Sequence, residues 1–307
     1  MIGSFDRIGF QRHSRAFRPA DLDVDLSGRV CLVTGGNAGL GRATAEALAK
    51  RGATVHLLCR DAARAEAARD EIRRASGNAR VELAVVDVSD LASVRRYVAS
   101  ASLEKVHALV HNAGVLPPSR ILSADGLELT LATHVVGPHL LTSLLATPLR
   151  AAGDARVIFV SSGGMYTQRL ALEDLRWDRH SYDGVVAYAQ TKRMQVVLAE
   201  RWSRVFAGAG VSVYSMHPGW ADTSGVKSSL PRFYKLTQRI LRSPAEGADT
   251  IVWLAACQPA PTPSGGFWFD RKARGTHYLP WTREDQAMRD RLWQECQRCA
   301  GLERSDR

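Results

Sequence analysis

Nothing in the 307 residues runs to eighteen consecutive apolar positions, and Met1 to Ala20 lacks the apolar block of a secretory leader. Both absences weigh against a membrane-spanning helix and against export, so the expected location is the cytoplasm. Cysteine is scarce: the five present are odd in number and irregular in spacing, which does not make a disulfide framework. Cys31, Cys59 and Cys257 sit in apolar runs and are expected to pack as small hydrophobes. The single CxxC of Cys296 and Cys299 lacks two further ligands, so no metal is expected. Acidic residues fall short of basic ones, 31 against 41, for a net charge of +10. An anionic partner would suit that excess. The basic residues are nevertheless scattered and mostly arginine, with no helix-turn-helix or RNA-binding signature beside them, so nucleic acid is not an expected partner. No internal repeat and no second domain is evident.

What the chain does have is an alternation. Val30 to Thr34, Thr54 to Cys59, Val81 to Asp87 and Val106 to His111 are short β-rich apolar runs, separated by helical patterns at Leu40 to Lys50, Ala62 to Ala75 and Leu91 to Ser102. Strands are expected again at Arg156 to Val160, Val211 to Met216 and Gly266 to Phe269. Helices are expected at Leu127 to Leu145, Val186 to Phe206 and Arg283 to Cys299, with another from the capping box Ser243-Pro-Ala-Glu246 to Ala256. This order predicts the α/β class, a Rossmann-type doubly wound parallel sheet with helices on both faces and ligands at the carboxyl ends of the strands. A single domain, 28–270, is expected, with an amino-terminal extension, 1–27, and a carboxyl-terminal tail, 271–307, that holds a helix. In the extension, Phe5, Ile8, Phe10 and Phe17 alternate irregularly with Arg7, Arg12, Arg15 and Arg18. Two readings stay open there, an arm packed on or loose from the body and a peripheral membrane contact.

The first strand runs into Thr34-Gly-Gly-Asn-Ala-Gly-Leu-Gly41, with Gly35, Gly39 and Gly41 where the backbone must turn and approach a pyrophosphate. The helix that starts near Leu40 would aim its positive end at the phosphates, so a dinucleotide is expected here. At the tip of the second strand stands Arg60, where an acidic residue would hold the ribose hydroxyls of NAD(H). A guanidinium there meets a 2′-phosphate instead, which points to NADP(H) ahead of NAD(H), with Arg42 able to assist. Asp61 is assigned to the helix N-cap rather than to the ribose.

Other strand ends deliver Asp87, His111-Asn-Ala-Gly114, Ser161-Ser162-Gly163-Gly164 and His217-Pro-Gly-Trp-Ala-Asp-Thr223 to the same edge. Residues 165–184, with Tyr166, Trp177 and Tyr182, form either a cover for the site or a packed surface loop. The helix that follows carries Tyr188-Ala-Gln-Thr-Lys192. That spacing puts a phenol and an ammonium one turn apart on one face. By itself the pair is compatible with an ordinary solvated surface. The functional alternative is an acid-base group whose pKa a positive neighbour lowers, and the pair alone does not establish it.

Taken together, the TGGNAGLG turn, the HNAG loop, the SSGG strand end, YAQTK and HPGWADT resemble the short-chain dehydrogenase/reductase family, in that family's order and over about Ser27 to Asp270. The resemblance implies hydride transfer between a nicotinamide and a carbonyl or alcohol, with Tyr188 as general acid or base. It implies that Ser162 bonds the substrate oxygen and that Lys192 binds the nicotinamide ribose and lowers the Tyr188 pKa. Gly35, Asn37, Gly39, Leu40 and Gly41 match the phosphate loop, Asp87 the adenine contact, and Asn112, Ala113 and Gly114 the central loop. Pro218, Gly219 and Thr223 match the nicotinamide side, and a homo-oligomer is implied.

Two positions depart from the pattern. His111 replaces an asparagine beside the cofactor. His134 stands at the fourth active-site position, usually asparagine, which helps to hold a relay water behind the lysine; a neutral imidazole can donate one hydrogen bond and accept another there. An apolar small-molecule substrate is expected, from an entrance lined by Trp220, Phe233 and Tyr234. The competing expectation is a catalytically impaired nucleotide-binding interaction protein.

Overall fold

The computed structural model describes residues 4–222, 227 and 231–303, with only the backbone of 231–233. Eight strands form one sheet in the order β3-β2-β1-β4-β5-β6-β7-β8. They are β1 Val30–Thr34, β2 Thr54–Cys59, β3 Val81–Val85, β4 Ala108–His111, β5 Ala155–Val160, β6 Val211–Met216, β7 Phe267–Phe269 and β8 Lys272–Arg274. The pairs from β3 through β7 are parallel, in registers such as Val30 opposite Thr54 and Ala155 opposite Val211. Strand order reverses at β1, whose neighbours are β2 on one side and β4 on the other. At such a switch point the connecting loops diverge and leave a crevice at the carboxyl edge.

The helices are α1 Arg7–Ser14, α2 Gly39–Ala49, α3 Ala62–Ser76, α4 Leu91–Ser100, α5 Leu129–Leu131, α6 Gly137–Leu144, α7 Ala146–Ala151, α8 Gly184–Val205, α9 Pro231–Thr237, α10 Pro244–Ala256 and α11 Gln286–Cys299. None among the described residues is long and apolar enough to cross a membrane. Because successive strand residues point to opposite faces, the sheet divides its core in two. Leu32, Leu109, Val157 and Phe159 pack on one face with α4, α6 and α8, and Val33, Leu57, Val110 and Ile158 pack on the other with α2 and α10. Each such fully buried aliphatic side chain stabilises by about 1.5–3 kcal/mol.

Four departures from the sequence expectation have local causes. Part of the amino-terminal extension is helical instead of irregular: Asp6 caps α1, Arg7–Ser14, by accepting from Gly9 N at 2.7 Å. The single helix expected over Leu127 to Leu145 is broken by a π turn, Ala132–Val136, between α5 and α6. After it, a Cβ on Gly137 would stand 1.8 Å from the Val88 carbonyl, so only glycine lets the helix approach the β3–α4 connection so closely. The tail contributes an antiparallel strand, β8, through the two-residue turn Asp270-Arg271. Both turn residues have positive φ, 49° and 54°, which the twist of a tight hairpin requires. His111 does not face the cofactor edge. It is buried against Phe159 and hydrogen-bonds Thr142 Oγ1 at 2.8 Å, because its strand position points it under α6.

The tail also grips α8. Arg193, wholly buried, meets both carboxylate oxygens of Glu284, at 2.9 and 2.7 Å from Nη2, and donates to the Thr276 carbonyl at 2.5 Å. Glu284→Ala strands that guanidinium without a counter-charge, and the expected loss is about 3–5 kcal/mol of unfolding free energy by urea denaturation. Glu46→Ala, which breaks the exposed pair with Lys50, is the control and should lose little. Equal losses would sink the assignment.

Candidate active site

Two loops meet over the carboxyl edge of β1 and β4, and hydrogen bonds tie them together. Thr34 Oγ1 accepts from Asn112 N at 2.9 Å and Ala113 N at 3.0 Å, while Asn112 Nδ2 donates to the Thr34 carbonyl at 2.9 Å and the Gly35 carbonyl at 3.3 Å. The predicted central-loop asparagine therefore acts on the glycine turn. Gly35 and Gly39 have φ of 64° and 50°, and a Cβ on Gly41 would lie 2.3 Å from the Gly35 carbonyl oxygen. Ala38 is the N-cap of α2 and offers no side-chain acceptor, so the leading amides of that helix have no side-chain cap. Asn37 lies in the turn, half-buried, and Leu40 packs against the core beneath it. The residues fit a dinucleotide pyrophosphate: the cradle excludes side chains and presents backbone donors at a positive helix end.

Asp87 Oδ1 accepts from Ser89 N and Oγ at 2.9 and 2.6 Å, which fixes its carboxylate past the end of β3. Asp61 caps α3 through Arg64 N at 3.1 Å. Arg60 stands exposed at the tip of β2. Arg42 is already paired, with Glu71 at 2.6 Å, and so is less available to a second phosphate than expected.

Ser162, two residues past the end of β5, and Tyr188, on α8, come together at this edge, close enough for the serine hydroxyl to act on the phenol. Lys192 lies one turn along, its Nζ 5.4 Å from the centre of the Tyr188 ring. The amine is 3% exposed and donates to the Val160 carbonyl at 2.8 Å and to Gln195 Oε1 at 3.1 Å. Burial pulls its pKa down to about 7, because the ammonium loses more hydration than two neutral acceptors return. For Tyr188 the expected direction is reversed. Burial raises the phenol pKa, and the Ser162 hydroxyl is the contact that opposes the rise. The reason is the phenol's own loss of hydration on burial, which the serine hydroxyl only partly offsets.

His134 falls on the π turn, fully buried, with its ring edge-on to Tyr188 at 5.4 Å. Val115 N donates to Nε2 at 3.0 Å, and Nδ1 lies 2.8 Å from Thr191 Oγ1, which in turn donates to the Tyr188 carbonyl at 2.9 Å. A neutral ring protonated on Nδ1 satisfies all three bonds. Burial and the neighbouring Lys192 hold its pKa well below the usual value, which fits a neutral ring. Both ring nitrogens are thus engaged by protein, and neither is left for a relay water. The connection behind the lysine runs through Gln195 instead: its Oε1 accepts from Lys192 and its Nε2 donates to the His134 carbonyl at 2.9 Å. Sequence reasoning missed Gln195. Its one signal was a polar residue three positions after Lys192, a spacing that shares a helix face.

On the opposite wall, Pro218 and Gly219 follow β6, and Gly219, with φ 77°, donates from N to His217 Nδ1 at 3.0 Å. Thr223 lies outside the described residues, as does the Phe233 side chain. Tyr234 is half-buried with Lys227 above its ring.

A family model described as short chain dehydrogenase matches residues 29–174. Human dehydrogenase/reductase SDR family member 12 is 47% identical over 278 residues, 90% of this chain and 87% of the relative. Retinol dehydrogenase 12 from Bos taurus is 34% identical over 275 residues, 88% of this chain and 86% of the relative. Among solved structures, an uncharacterized protein from Mycobacterium paratuberculosis matches with a TM-score of 0.75 at 29% identity, covering 94% of this chain and 98% of its own.

The burial of Lys192 makes a prediction about stability. Its folded pKa of about 7 lies below the value near 10.5 of an exposed lysine, so between those limits the unfolded chain binds the extra proton. Stability conferred at this position therefore rises with pH across that window, by at most about 1.4 kcal/mol per pH unit. Lys192→Met should be the more stable protein at pH 6 and lose its advantage towards pH 10 in urea titrations. A difference that is flat with pH would contradict the buried amine.

Proposed function

This chain belongs to the short-chain dehydrogenase/reductase family of nicotinamide-dependent oxidoreductases, and on that premise we propose that it interconverts a carbonyl and an alcohol on an apolar small molecule with NADP(H). The observation that carries the proposal is the lacing of the β5 end to α8 through Ser161, Val160 and Lys192, which sets Lys192 beside the Tyr188 ring and brings the Ser162 hydroxyl towards it. Tyr188 holds the proton that passes to the substrate oxygen during reduction and receives it during oxidation. Ser162 donates to that oxygen as its charge grows, so the hydroxyl that opposes the rise in the Tyr188 pKa also stabilises the reacting group. When bound, the nicotinamide supplies or accepts the hydride at the substrate carbon. Lys192, held by Val160 and Gln195, presents its remaining donor capacity to the ribose. His134 positions Tyr188 through Thr191, its one ring proton committed to the Thr191 hydroxyl and not passed to the reaction.

Gly35, Asn37, Gly39, Leu40 and Gly41 are assigned to the pyrophosphate, Asp87 to the adenine, Asn112, Ala113 and Gly114 to the central loop, and Pro218, Gly219 and Thr223 to the nicotinamide amide. NADP(H) rests on Arg60, exposed at the β2 tip where its planar donors are free to meet a phosphate. An apolar substrate is supported by Trp220 beside the site and by relatives named for retinol, a long apolar alcohol.

Two measurements test the proposal. Tyr188→Phe should lower kcat for NADPH-dependent reduction by about 10²–10⁴-fold, followed at the nicotinamide absorbance across lipid, retinoid, steroid and quinone carbonyls. Full turnover by that variant defeats the mechanism, and tight NADPH binding with no turnover by the native protein favours the catalytically impaired reading. Arg60→Asp should weaken NADPH binding by on the order of ten-fold or more and leave NADH binding equal or improved, since a charge-assisted bond contributes about 1.5–3 kcal/mol. Unchanged discrimination between the two cofactors would remove Arg60 from the assignment.

A further inference from the structure

The amino-terminal arm reaches the site. The Phe5 carbonyl accepts from Trp220 N at 2.7 Å, so the backbone of the arm is bonded to the loop after β6. The Phe5 ring stands edge-on to His217 at 4.4 Å, Phe269 at 5.2 Å and Trp220 at 6.2 Å. On its other side it lies against the turn that carries Ser162: a Cβ on Gly163 would be 3.2 Å from Phe5 Cε2. One half-buried aromatic ring thus fills the gap between the serine wall and the Pro218-Gly219-Trp220 wall.

A buried charge cluster holds the arm in place. Arg242, 1% exposed, donates to the carbonyls of Ser4 at 3.0 Å, Asp6 at 3.1 Å and Pro218 at 3.3 Å. The same guanidinium meets both oxygens of Asp270, at 2.6 and 2.9 Å, and His13 Nδ1 on α1 meets Asp270 at 2.7 Å. Gly219 has no room for a side chain, since a Cβ there would lie 2.4 Å from Arg242 Nε and 2.6 Å from the Phe5 carbonyl oxygen. Further along, Arg7 N donates to the Ile240 carbonyl at 2.8 Å. The other arm phenylalanines also face inward, Phe10 under Arg242 and Phe17 under Arg271. Only Ile8, at 64% exposure, is a strongly exposed large hydrophobe in the described part of the arm.

We propose that Ser4 to Ser14 is an intramolecular strap that sets the separation of the serine wall and the Trp220 wall, with Phe5 as the residue that positions the substrate-side loop. A long apolar substrate would contact both walls and a short one only the acid-base group, so Phe5 governs the recognition of length and leaves the chemistry alone. The substrate part of this inference rests on the reaction proposed above; the mechanical part does not.

The test uses the full chain with Phe5→Ala and Phe5→Leu. Hydrogen exchange over 217–222, measured by mass spectrometry, should quicken by about ten-fold in Phe5→Ala, with the strands of the sheet unchanged and most protection restored in Phe5→Leu. With NADPH and aliphatic aldehydes, the KM for a long aldehyde should rise by roughly ten-fold in Phe5→Ala, while kcat, the KM for a short aldehyde and NADPH affinity stay within about two-fold. Unchanged exchange over 217–222, or protection lost evenly across the sheet, overturns the strap. Equal changes for long and short aldehydes overturn the recognition of length. Should Tyr188→Phe retain turnover, the reaction reading fails, yet the exchange result still decides for or against the strap.

Discussion

The buried amine of Lys192 is the constraint around which the site is built. Removing an ammonium from water is unfavourable unless hydrogen bonds replace the lost hydration, and the replacements here also join two elements. Lys192 Nζ donates to the Val160 carbonyl at the end of β5, and Ser161 Oγ, one residue on, donates back to the Lys192 carbonyl at 2.7 Å. The end of β5 and α8 are thereby laced in both directions. Ser162 and Tyr188 follow as the next residues outward on the two laced elements, which is why their side chains meet. Burial acts on both groups, lowering the Lys192 pKa and raising that of Tyr188, and the Ser162 hydroxyl is the contact that opposes the latter.

Both chain extensions serve this centre rather than standing apart from it. The arm reaches the Trp220 wall through Phe5 and Arg242, and the tail grips α8 one residue beyond Lys192 through Arg193 and Glu284. Arg156, Arg193 and Arg242 are among the largest fully buried side chains. Part of the arginine excess that suggests an anionic partner is therefore structural. A guanidinium suits this use because its fixed fork serves several carbonyl and carboxylate acceptors at once, as Arg242 does with four residues.

Much of this was legible in the residues. Strand β1 and the glycine turn after it, the cap at Asp61 and the capping box at Ser243 were all readable, because each is a local preference confirmed by its own neighbours. Helix α1 was not. Eight residues are too few to hold a helix by propensity, and beyond the Asp6 cap what fixes α1 comes from residues more than two hundred positions away. The π turn at His134 has no residue signature either. It adjusts a helix caught between the Val88 carbonyl at Gly137 and the Gln195 amide at the His134 carbonyl.

The sequence by itself determined the class of fold and the sheet edge to which the strand ends deliver their loops, since period and glycine placement are properties of short stretches; the phenol, hydroxyl and amine at that edge followed from the family resemblance and not from spacing. Only the tertiary structure decided the state of those groups. It buried Lys192 and so moved its pKa down, buried the Tyr188 phenol and so moved its pKa up, engaged both nitrogens of His134 with Val115 and Thr191, and brought Phe5 beside Gly163. Desolvation and hydrogen-bond saturation depend on everything packed around an atom, and most of what surrounds these atoms is distant in the chain.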